Sequence, residues 1–203
     1  MLFYGILILF NMILITVLNI AFGNFGHPWY DAVIAVCFFT VVVTLIHGLT
    51  AGLIRKLPPK WFDKNKKFYQ VSKKETRFYE KIGIKRWKDH IPELGGLSNF
   101  HKNKVQDPHN NEYVERFILE INFGIWGHII GGILGFLIIL IDFGIYKNHQ
   151  ITYGLTIALP VACVDLFCAI LPTMVLRYNL PRLQTLFKAN ERKSRKNKSE
   201  TEN

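Results

Sequence analysis

The sequence is poor in cysteine and in acidic residues. Its three cysteines, Cys37, Cys163 and Cys168, all lie within apolar runs, which argues against a disulfide framework or a zinc site. Asp and Glu number 15 against 25 Lys and Arg, so the formal net charge is +10. Half of the 203 residues are hydrophobic. This composition excludes a disordered chain, a collagen-like fibre and a secreted disulfide scaffold.

Common catalytic motifs are also missing. The sequence contains no glycine-rich phosphate loop, no G-x-S-x-G, no H-E-x-x-H and no H-x₄-D acyltransferase signature. Its first apolar run lacks the charged start and the small-residue cleavage site of a signal peptide, so we expect it to be retained.

Four long apolar runs dominate what is present, at residues 1–22, 32–54, 117–145 and 151–176. About 20 residues cross the hydrocarbon core, and a backbone in lipid must satisfy its own hydrogen bonds. The sequence therefore predicts an all-α integral membrane protein with four transmembrane helices. Its expected parts are a hairpin at 1–54, a loop at 55–116, a site-bearing hairpin at 117–176 and a basic tail at 177–203.

Basic residues are concentrated in two segments. Residues 55–116 hold sixteen Lys or Arg against eight Asp or Glu, and residues 177–203 hold eight against three. Positive charge stays on the cytoplasmic side, so we expect a multi-pass cell-membrane protein with the loop and both termini inside. Aromatics among the loop's lysines predict short interfacial helices. The tail after Ala189 is predicted to be disordered and to touch anionic headgroups.

The third run carries two ionisable residues, Glu120 and His128, which lipid makes costly and which are therefore functional candidates. Gly124 and Gly132 lie one turn to either side of His128 and could form a groove for an acyl chain. A neighbouring seam of glycines at 127, 131 and 135 is equally typical of close helix packing. Both interpretations stay open.

Partners for these residues are expected on the fourth run. With a tight turn near residue 148, Glu120 would lie beside Arg177, and His128 would lie near Asp165. The second pair would be a carboxylate-oriented imidazole suited to a general base. The alternative for Asp165 is a hydrogen bond to a neighbouring helix. His47 of the second run either faces the same cavity or only packs.

Two further groups are candidates for substrate binding. Arg177, Asn179 and Arg182 could clamp a phosphate or sugar hydroxyls, or the arginines could be topology anchors. In the loop, Trp87, Lys88, Asp89 and His90 combine a stacking aromatic, a cation, a carboxylate and an imidazole. Asp89 and His90 could equally be plain surface residues. No spacing defines a metal site.

Three segments carry a family resemblance: FYEKIGIKRWKDHIP at 78–92, RFxxE at 116–120 with His128 eight residues on, and RYNxPRL at 177–183. In this order the segments resemble the glycosyl-4,4'-diaponeurosporenoate acyltransferase family, over about residues 60 to 187. The resemblance implies esterification of a sugar hydroxyl of a glycosylated carotenoid acid with a fatty acyl chain.

The sequence and the resemblance together predict a membrane acyltransferase that acylates a hydroxyl of a glycolipid or glycosylated carotenoid. His128 would be the base, an acid such as Asp165 or Asp89 would hold its tautomer, and Glu120 would order the site. The expected substrate-binding residues are Trp87, Lys88, Arg177, Asn179, Arg182, Gly124 and Gly132.

We expect no cofactor and no metal. The expected co-substrate is an acyl-thioester or a lipid acyl donor, and the expected partners are membrane lipids, not nucleic acid. The alternative is a non-enzymatic membrane protein that binds lipid or assembles with a partner. A small transporter is disfavoured because no inverted repeat is visible.

Overall fold

The structure is a computed structural model that describes residues 2–22, 28–91, 105–141 and 154–201. Within these ranges every regular element is helical, and none is a strand. The α-helices are α1 Leu2–Phe22, α2 Trp29–Arg55, α3 Lys73–Lys81, α4 Ile84–Trp87, α5 Asn111–Leu134 and α6 Leu159–Thr201. Shorter 3₁₀ segments lie at Pro59–Phe62, Lys67–Tyr69, Lys88–His90 and Gly135–Leu140, and a π turn lies at Gly154–Ala158.

Four helical stretches of the described chain are long and apolar enough to cross a membrane. They are Tyr4–Phe22, Trp29–Arg55, Asn111–Leu140 and Gly154–Asn197. This result confirms the predicted all-helical class and the four candidate spans. Helix α5 of the third span begins at Asn111, before the apolar run starts. Its first turns are formed by the polar residues that precede this run. The turn predicted near residue 148 lies outside the described residues.

The chain divides into two compact units. The first unit comprises Met1–Ile54 and Trp126–Leu171, and the second comprises Arg55–Ile125 and Pro172–Asn203. The core of the first unit joins α1, α2, the π turn and α6 and contains Ile15, Val36, Phe39, Val43, Ile157, Ala158, Val161 and Ala162. Large apolar side chains elsewhere on the same helices are more than half exposed, for example Leu9, Leu49 and Phe167. Exposed apolar faces of this extent suit a lipid environment.

Two prolines explain how α1 is attached to the fourth span. Proline has no N–H, so Pro160 and Pro172 leave the carbonyls four residues earlier, those of Thr156 and Cys168, without their usual helical donors. The Asn19 amide donates to Thr156 O at 2.9 Å, and the Tyr4 hydroxyl donates to Cys168 O at 2.7 Å. The polar side chains of α1 therefore satisfy carbonyls that lipid could not hydrate.

The second unit folds the predicted loop onto parts of α5 and α6. Ser72 caps α3 by accepting from the Glu75 amide at 3.1 Å, and Gly83 adopts a left-handed φ of 70° between α3 and α4. The Asn122 amide donates to Phe62 O at 2.9 Å, and the Gln184 amide donates to Tyr69 O at 3.1 Å. The loop thus contains short helical segments, and hydrogen bonds fix it to α5 and α6. Their predicted position at the membrane interface remains a prediction.

The prediction of a disordered tail is wrong for the described residues. Helix α6 continues to Thr201. Between Arg182 and Thr201 the sequence has neither proline nor glycine and is rich in Lys, Arg and Glu, which are good helix formers. The Asn190 amide also donates to Pro108 O at 2.7 Å, which ties the helix to the rest of the second unit.

Candidate functional site

An imidazole and a carboxylate form a hydrogen-bonded pair inside the first unit. Nδ1 of His47 on α2 lies 3.0 Å from Oδ1 of Asp165 on α6, and the two side chains are 20% and 14% exposed. Since Nδ1 faces a carboxylate oxygen, it carries the proton and donates it to the hydrogen bond. Among the described residues, His47 Nε2 and Asp165 Oδ2 are buried without a hydrogen-bond partner. Such unsatisfied groups in a core are rare and call for an explanation.

Two glycines make room for this pair. The glycine seam of the third span lies along α2, with Gly127 against Ala51, Gly131 against His47 and Gly135, just after α5, against Val43. A Cβ at Gly131 would lie 2.7 Å from His47 Nε2, and a Cβ at Gly135 would lie 2.7 Å from Asp165 Oδ2. A Cβ at Gly127 would make only an ordinary contact of 3.7 Å with Ala51. The seam is therefore a close helix contact whose glycines also accommodate an imidazole and a carboxylate.

His128 completes a group of three side chains. Its ring centroid lies 6.2 Å from that of His47, with the planes tilted by 48°. The His128 side chain is partly exposed. We name His47, His128 and Asp165 the histidine cluster. All three belong to membrane-spanning helices of the first unit, where ionisable groups are costly.

The predicted pairing of His128 with Asp165 is wrong, because the helix register differs by about one turn. Asp165 lies opposite Gly135, which is seven residues, or about 10 Å, beyond His128 along α5. The expected register had placed the carboxylate close to His128. In the structure Asp165 pairs with His47 instead. The second span therefore contributes His47 to this group, whereas the sequence left open whether His47 faces the cavity or only packs.

The two glycines beside His128 do not border an open groove. A Cβ at Gly132 would lie 3.0 Å from Leu166 Cδ1 and 3.1 Å from Ala169 Cβ. A Cβ at Gly124, in the second unit, would lie 2.9 Å from Leu176 Cδ1. Side chains of α6 fill the space at both positions, which favours helix packing over a groove for the acyl chain.

The predicted pair Glu120–Arg177 is also replaced by other partners. Glu120 Oε1 lies 2.6 Å from Arg116 Nη2, and its Oε2 lies 3.3 Å from Arg55 Nε. Arg116 is one turn earlier on the same helix, and Arg55 ends α2. The Glu120 side chain is only 10% exposed, so two cations compensate a largely buried carboxylate.

Arg177 pairs with Glu75 of α3. Its Nε and Nη2 lie 2.5 Å and 3.0 Å from Glu75 Oε1 and Oε2, a bidentate arrangement, and Nη1 donates to Phe68 O at 2.9 Å. The Tyr79 hydroxyl also donates to Glu75 Oε1 at 2.6 Å. Hydrogen bonds from Arg177 lower the pKa of Glu75, and burial raises the pKa of Tyr79 to about 12. This network fastens the loop to α6, which sequence spacing alone does not reveal.

The other predicted binding residues lie in the second unit. Arg182 is exposed; its Nη2 donates to the Tyr178 hydroxyl at 3.2 Å, and its guanidinium lies 5.1 Å from that ring's centroid. Asn179 is buried. Trp87 Nε1 donates to Ile82 O at 3.2 Å, while Lys88 is half-buried and Asp89 and His90 are exposed. The roles assigned to Trp87, Lys88, Asp89, Asn179 and Arg182 remain predictions.

Two imidazoles and a carboxylate thus lie within helices that are long and apolar enough to span a membrane, which makes them the candidate site of a membrane protein. The glycosyl-4,4'-diaponeurosporenoate acyltransferase family matches residues 58–189. This match covers more than half of the chain, so the chain belongs to that family, as its motifs indicated. Comparisons with curated proteins and with solved structures gave no match. The matched segment includes His128 and Asp165 but not His47.

Proposed function

We propose that this protein is a membrane acyltransferase that moves a fatty acyl chain onto a hydroxyl of a glycolipid or glycosylated carotenoid. The family description supports the reaction class. The histidine cluster is the observation that carries the assignment, because acid–base groups of suitable chemistry occur together in an apolar unit. Packing alone would favour aliphatic side chains at these positions.

In the proposed reaction His128 is the general base. The acceptor hydroxyl oxygen bonds to the donor's carbonyl carbon, and the hydroxyl proton passes to the His128 imidazole. The bond between that carbon and the donor's leaving group then breaks. The departing thiolate or alkoxide takes the proton from His128, so the imidazole returns to its neutral form.

His47 and Asp165 are proposed as positioning residues. His47 Nε2 is enclosed against Gly131, so this nitrogen does not face a space that a substrate hydroxyl could enter. His128 is partly exposed and is therefore the better base. His47 contacts both other members of the cluster: its Nδ1 lies 3.0 Å from Asp165 Oδ1, and its ring centroid lies 6.2 Å from that of His128. In a medium of low dielectric, the Asp165 carboxylate acts across the His47 ring and stabilises the imidazolium that forms during the reaction.

For the donor we propose an acyl-thioester or a lipid acyl donor, with no metal ion and no bound cofactor. Three N–H groups of Arg177 already serve Glu75 and Phe68. The anionic part of the donor is therefore assigned to Lys88 and Arg182, and Trp87 is assigned to stack on a sugar or headgroup. Glu120 is assigned to holding Arg55 and Arg116, since both of its oxygens are engaged by these cations.

The second unit is proposed to lie at the inner leaflet of the cell membrane, with both termini in the cytoplasm. The excess of basic residues in 55–116 and 177–203 supports this orientation. Trp61, Phe68 and Phe78 are 53%, 41% and 50% exposed, as expected for aromatics that contact a membrane interface. Reporter fusions after residues 90 and 203 should both score as cytoplasmic. An external score at 90 would overturn this orientation.

The reaction class is tested by comparing lipid extracts of cells with and without the intact protein by mass spectrometry. We expect an acylated glycolipid or glycocarotenoid that needs the protein and disappears with His128→Ala at equal protein level. An unchanged lipid profile, together with lipid co-purified from the wild type and the variant alike, would favour the non-enzymatic lipid-binding alternative.

A further inference from the structure

The first unit contains a cleft between α1, α2 and α6. Its walls include Ile8, Met12 and Ile15 from α1, Val43 from α2, and Val161 and Val164 from α6. The cleft is open on one side and has an interior volume of about 50 Å³. Its wall also includes Asp165, so it adjoins the histidine cluster.

The cleft lies between two fixed contacts. The Tyr4 hydroxyl attaches α1 to the Cys168 carbonyl, and the Asn19 amide attaches it to the Thr156 carbonyl. Cleft-lining residues of both helices lie between these contacts, from Ile8 to Ile15 on α1 and from Val161 to Asp165 on α6. The two hydrogen bonds therefore hold α1 against α6 at both ends of the cleft.

The hydroxyl and amide groups of the wall donate within their own helices. The Thr40 and Thr44 hydroxyls donate to Val36 O and Thr40 O, each at 2.7 Å, and the Asn11 amide donates to Leu7 O at 2.8 Å. Asp165 pairs with His47. A wall of aliphatic side chains with internally bonded hydroxyls suits a hydrocarbon chain and offers little to a charged headgroup.

We propose that this cleft binds the hydrocarbon chain of the acyl donor, an inference that rests on the proposed acyl transfer. The chain would enter the cleft beside Asp165, with the acyl carbonyl outside the cleft on the side of His128 and the methyl end toward Asn19. From Asp165 to Thr156 the fourth span advances nine residues, or about 13 Å, which sets the length available to the chain. The first span is thereby a part of the substrate site and not merely an anchor.

The test uses photo-crosslinking of the purified full-length protein in phosphatidylglycerol–phosphatidylcholine vesicles. The probe is a palmitic acid analogue with a diazirine midway along its chain, and mass spectrometry locates the label. We expect labelling to concentrate on cleft residues of α1 and α6, including Met12 and Val161. Labelling spread evenly over lipid-facing residues such as Leu9 and Phe167 would overturn the proposal.

A pair of variants sharpens the test. Val161→Phe narrows the cleft, and we expect at least about a fivefold loss of labelling. Cys163→Phe adds the same ring two residues away on an exposed position of α6 and should label like the wild type. Because Val161→Phe could also disturb folding, Ile8→Phe provides a second narrowing variant, with Leu9→Phe as its exposed control. Equal labelling in narrowed and control variants would contradict the proposal.

His128→Ala separates this inference from the proposed function. The cleft does not need the base, so the variant should label normally although its turnover is lost. Normal labelling of an inactive variant supports both statements. Absent cleft labelling in an active wild type overturns only the cleft, whereas full activity in His128→Ala overturns only the proposed base.

Discussion

The two units satisfy their charged groups in different ways. In the second unit two partly buried carboxylates are each held from two sides: Glu75 by Arg177 and Tyr79, and Glu120 by Arg55 and Arg116. In the first unit Asp165 has one partner, His47, and both residues keep a buried polar atom without a hydrogen bond among the described residues.

This difference distinguishes charged pairs that stabilise the fold from charged groups that are candidates for catalysis. A doubly held carboxylate stabilises the fold and has little capacity left for another ligand. An incompletely satisfied pair in lipid costs free energy and offers no obvious packing benefit. The second unit therefore uses ion pairs in its scaffold, whereas the His47–Asp165 pair of the first unit is the one that we propose for the reaction.

The largest expected effect is on turnover. His128→Ala should lower the rate of acyl transfer by about 10²–10⁴-fold, the usual loss when a general base is removed. His90→Ala, in the exposed turn of the second unit, is the control and should lose much less. Initial rates with purified protein in vesicles check this. A dead His90→Ala beside an active His128→Ala would move the base to the loop.

A second prediction disturbs the cluster without removing any of its members. In Gly131→Ala the new methyl group would lie 2.6 Å from His47 Cδ2, so the imidazole must shift. A displacement of this kind can cost about 10²-fold in rate. Gly127→Ala makes an ordinary contact and is the matched control. Equal rates in both variants would mean that the glycine seam serves helix packing alone and has no role in placing His47.

Arg177→Gln should act on stability and not on chemistry. The variant removes the bidentate pair with Glu75 and the donation to Phe68 O, at a cost of about 2 kcal/mol. The free energy of unfolding in a graded denaturant series measures this loss. The specific activity of the folded fraction should stay near that of the wild type. A collapse of activity at unchanged stability would instead assign Arg177 to the donor.

The same pair predicts a pH dependence. Arg177 lowers the pKa of Glu75, so the pair stabilises the fold fully above the carboxyl's unfolded-state pKa. This stabilisation is lost as the pH falls through the lower folded-state pKa. Thermal unfolding from pH 6 downward should show a steeper loss in the wild type than in Glu75→Gln. Parallel curves of stability against pH in the two proteins would show that the ionisation of Glu75 does not contribute to the stability of the fold.

The smallest expected effect concerns the attachment of α1. Tyr4→Phe removes the donor to the Cys168 carbonyl, and hydrogen bonds between helices in membranes contribute roughly 0.6 kcal/mol on average. Leu9→Ala, on the exposed face of the same helix, controls for a generic change in α1. Steric trapping of unfolding in bicelles resolves differences of this size. A loss equal to that of Leu9→Ala would mean that the hydrogen bond contributes nothing measurable.

Hydropathy alone predicts the four spans, because length and apolar composition decide membrane crossing. The motifs around Trp87, Glu120 and Arg177 were enough to indicate the family. The pairings were not predictable, since they depend on a helix register that a connection near residue 148 leaves undetermined by one turn. A difference of one helical turn in this register is why Asp165 pairs with His47 and not with His128.

Two prolines in the sequence could have predicted where α1 attaches to the fourth span. Pro160 and Pro172 each free a carbonyl within a span, and such carbonyls need donors in lipid. Tyr4 and Asn19 are polar side chains of α1 that could supply them. Glu75 as the partner of Arg177 had no comparable signal, because it lies 102 residues away within a highly charged loop.

The central claim is tested most directly by one matched pair of isosteric changes, Asp165→Asn in the first unit and Glu75→Gln in the second. Each replaces a paired carboxylate by its amide, and the measurement is the rate of acyl transfer per folded molecule in vesicles. We expect Asp165→Asn to lose about 10²-fold or more, since the charge that stabilises the imidazolium is gone. Glu75→Gln should stay within about twofold of the wild type, since the ratio refers to folded protein alone. Equal rates in the two variants, or a loss confined to Glu75→Gln, would contradict the assignment of the reaction to the histidine cluster.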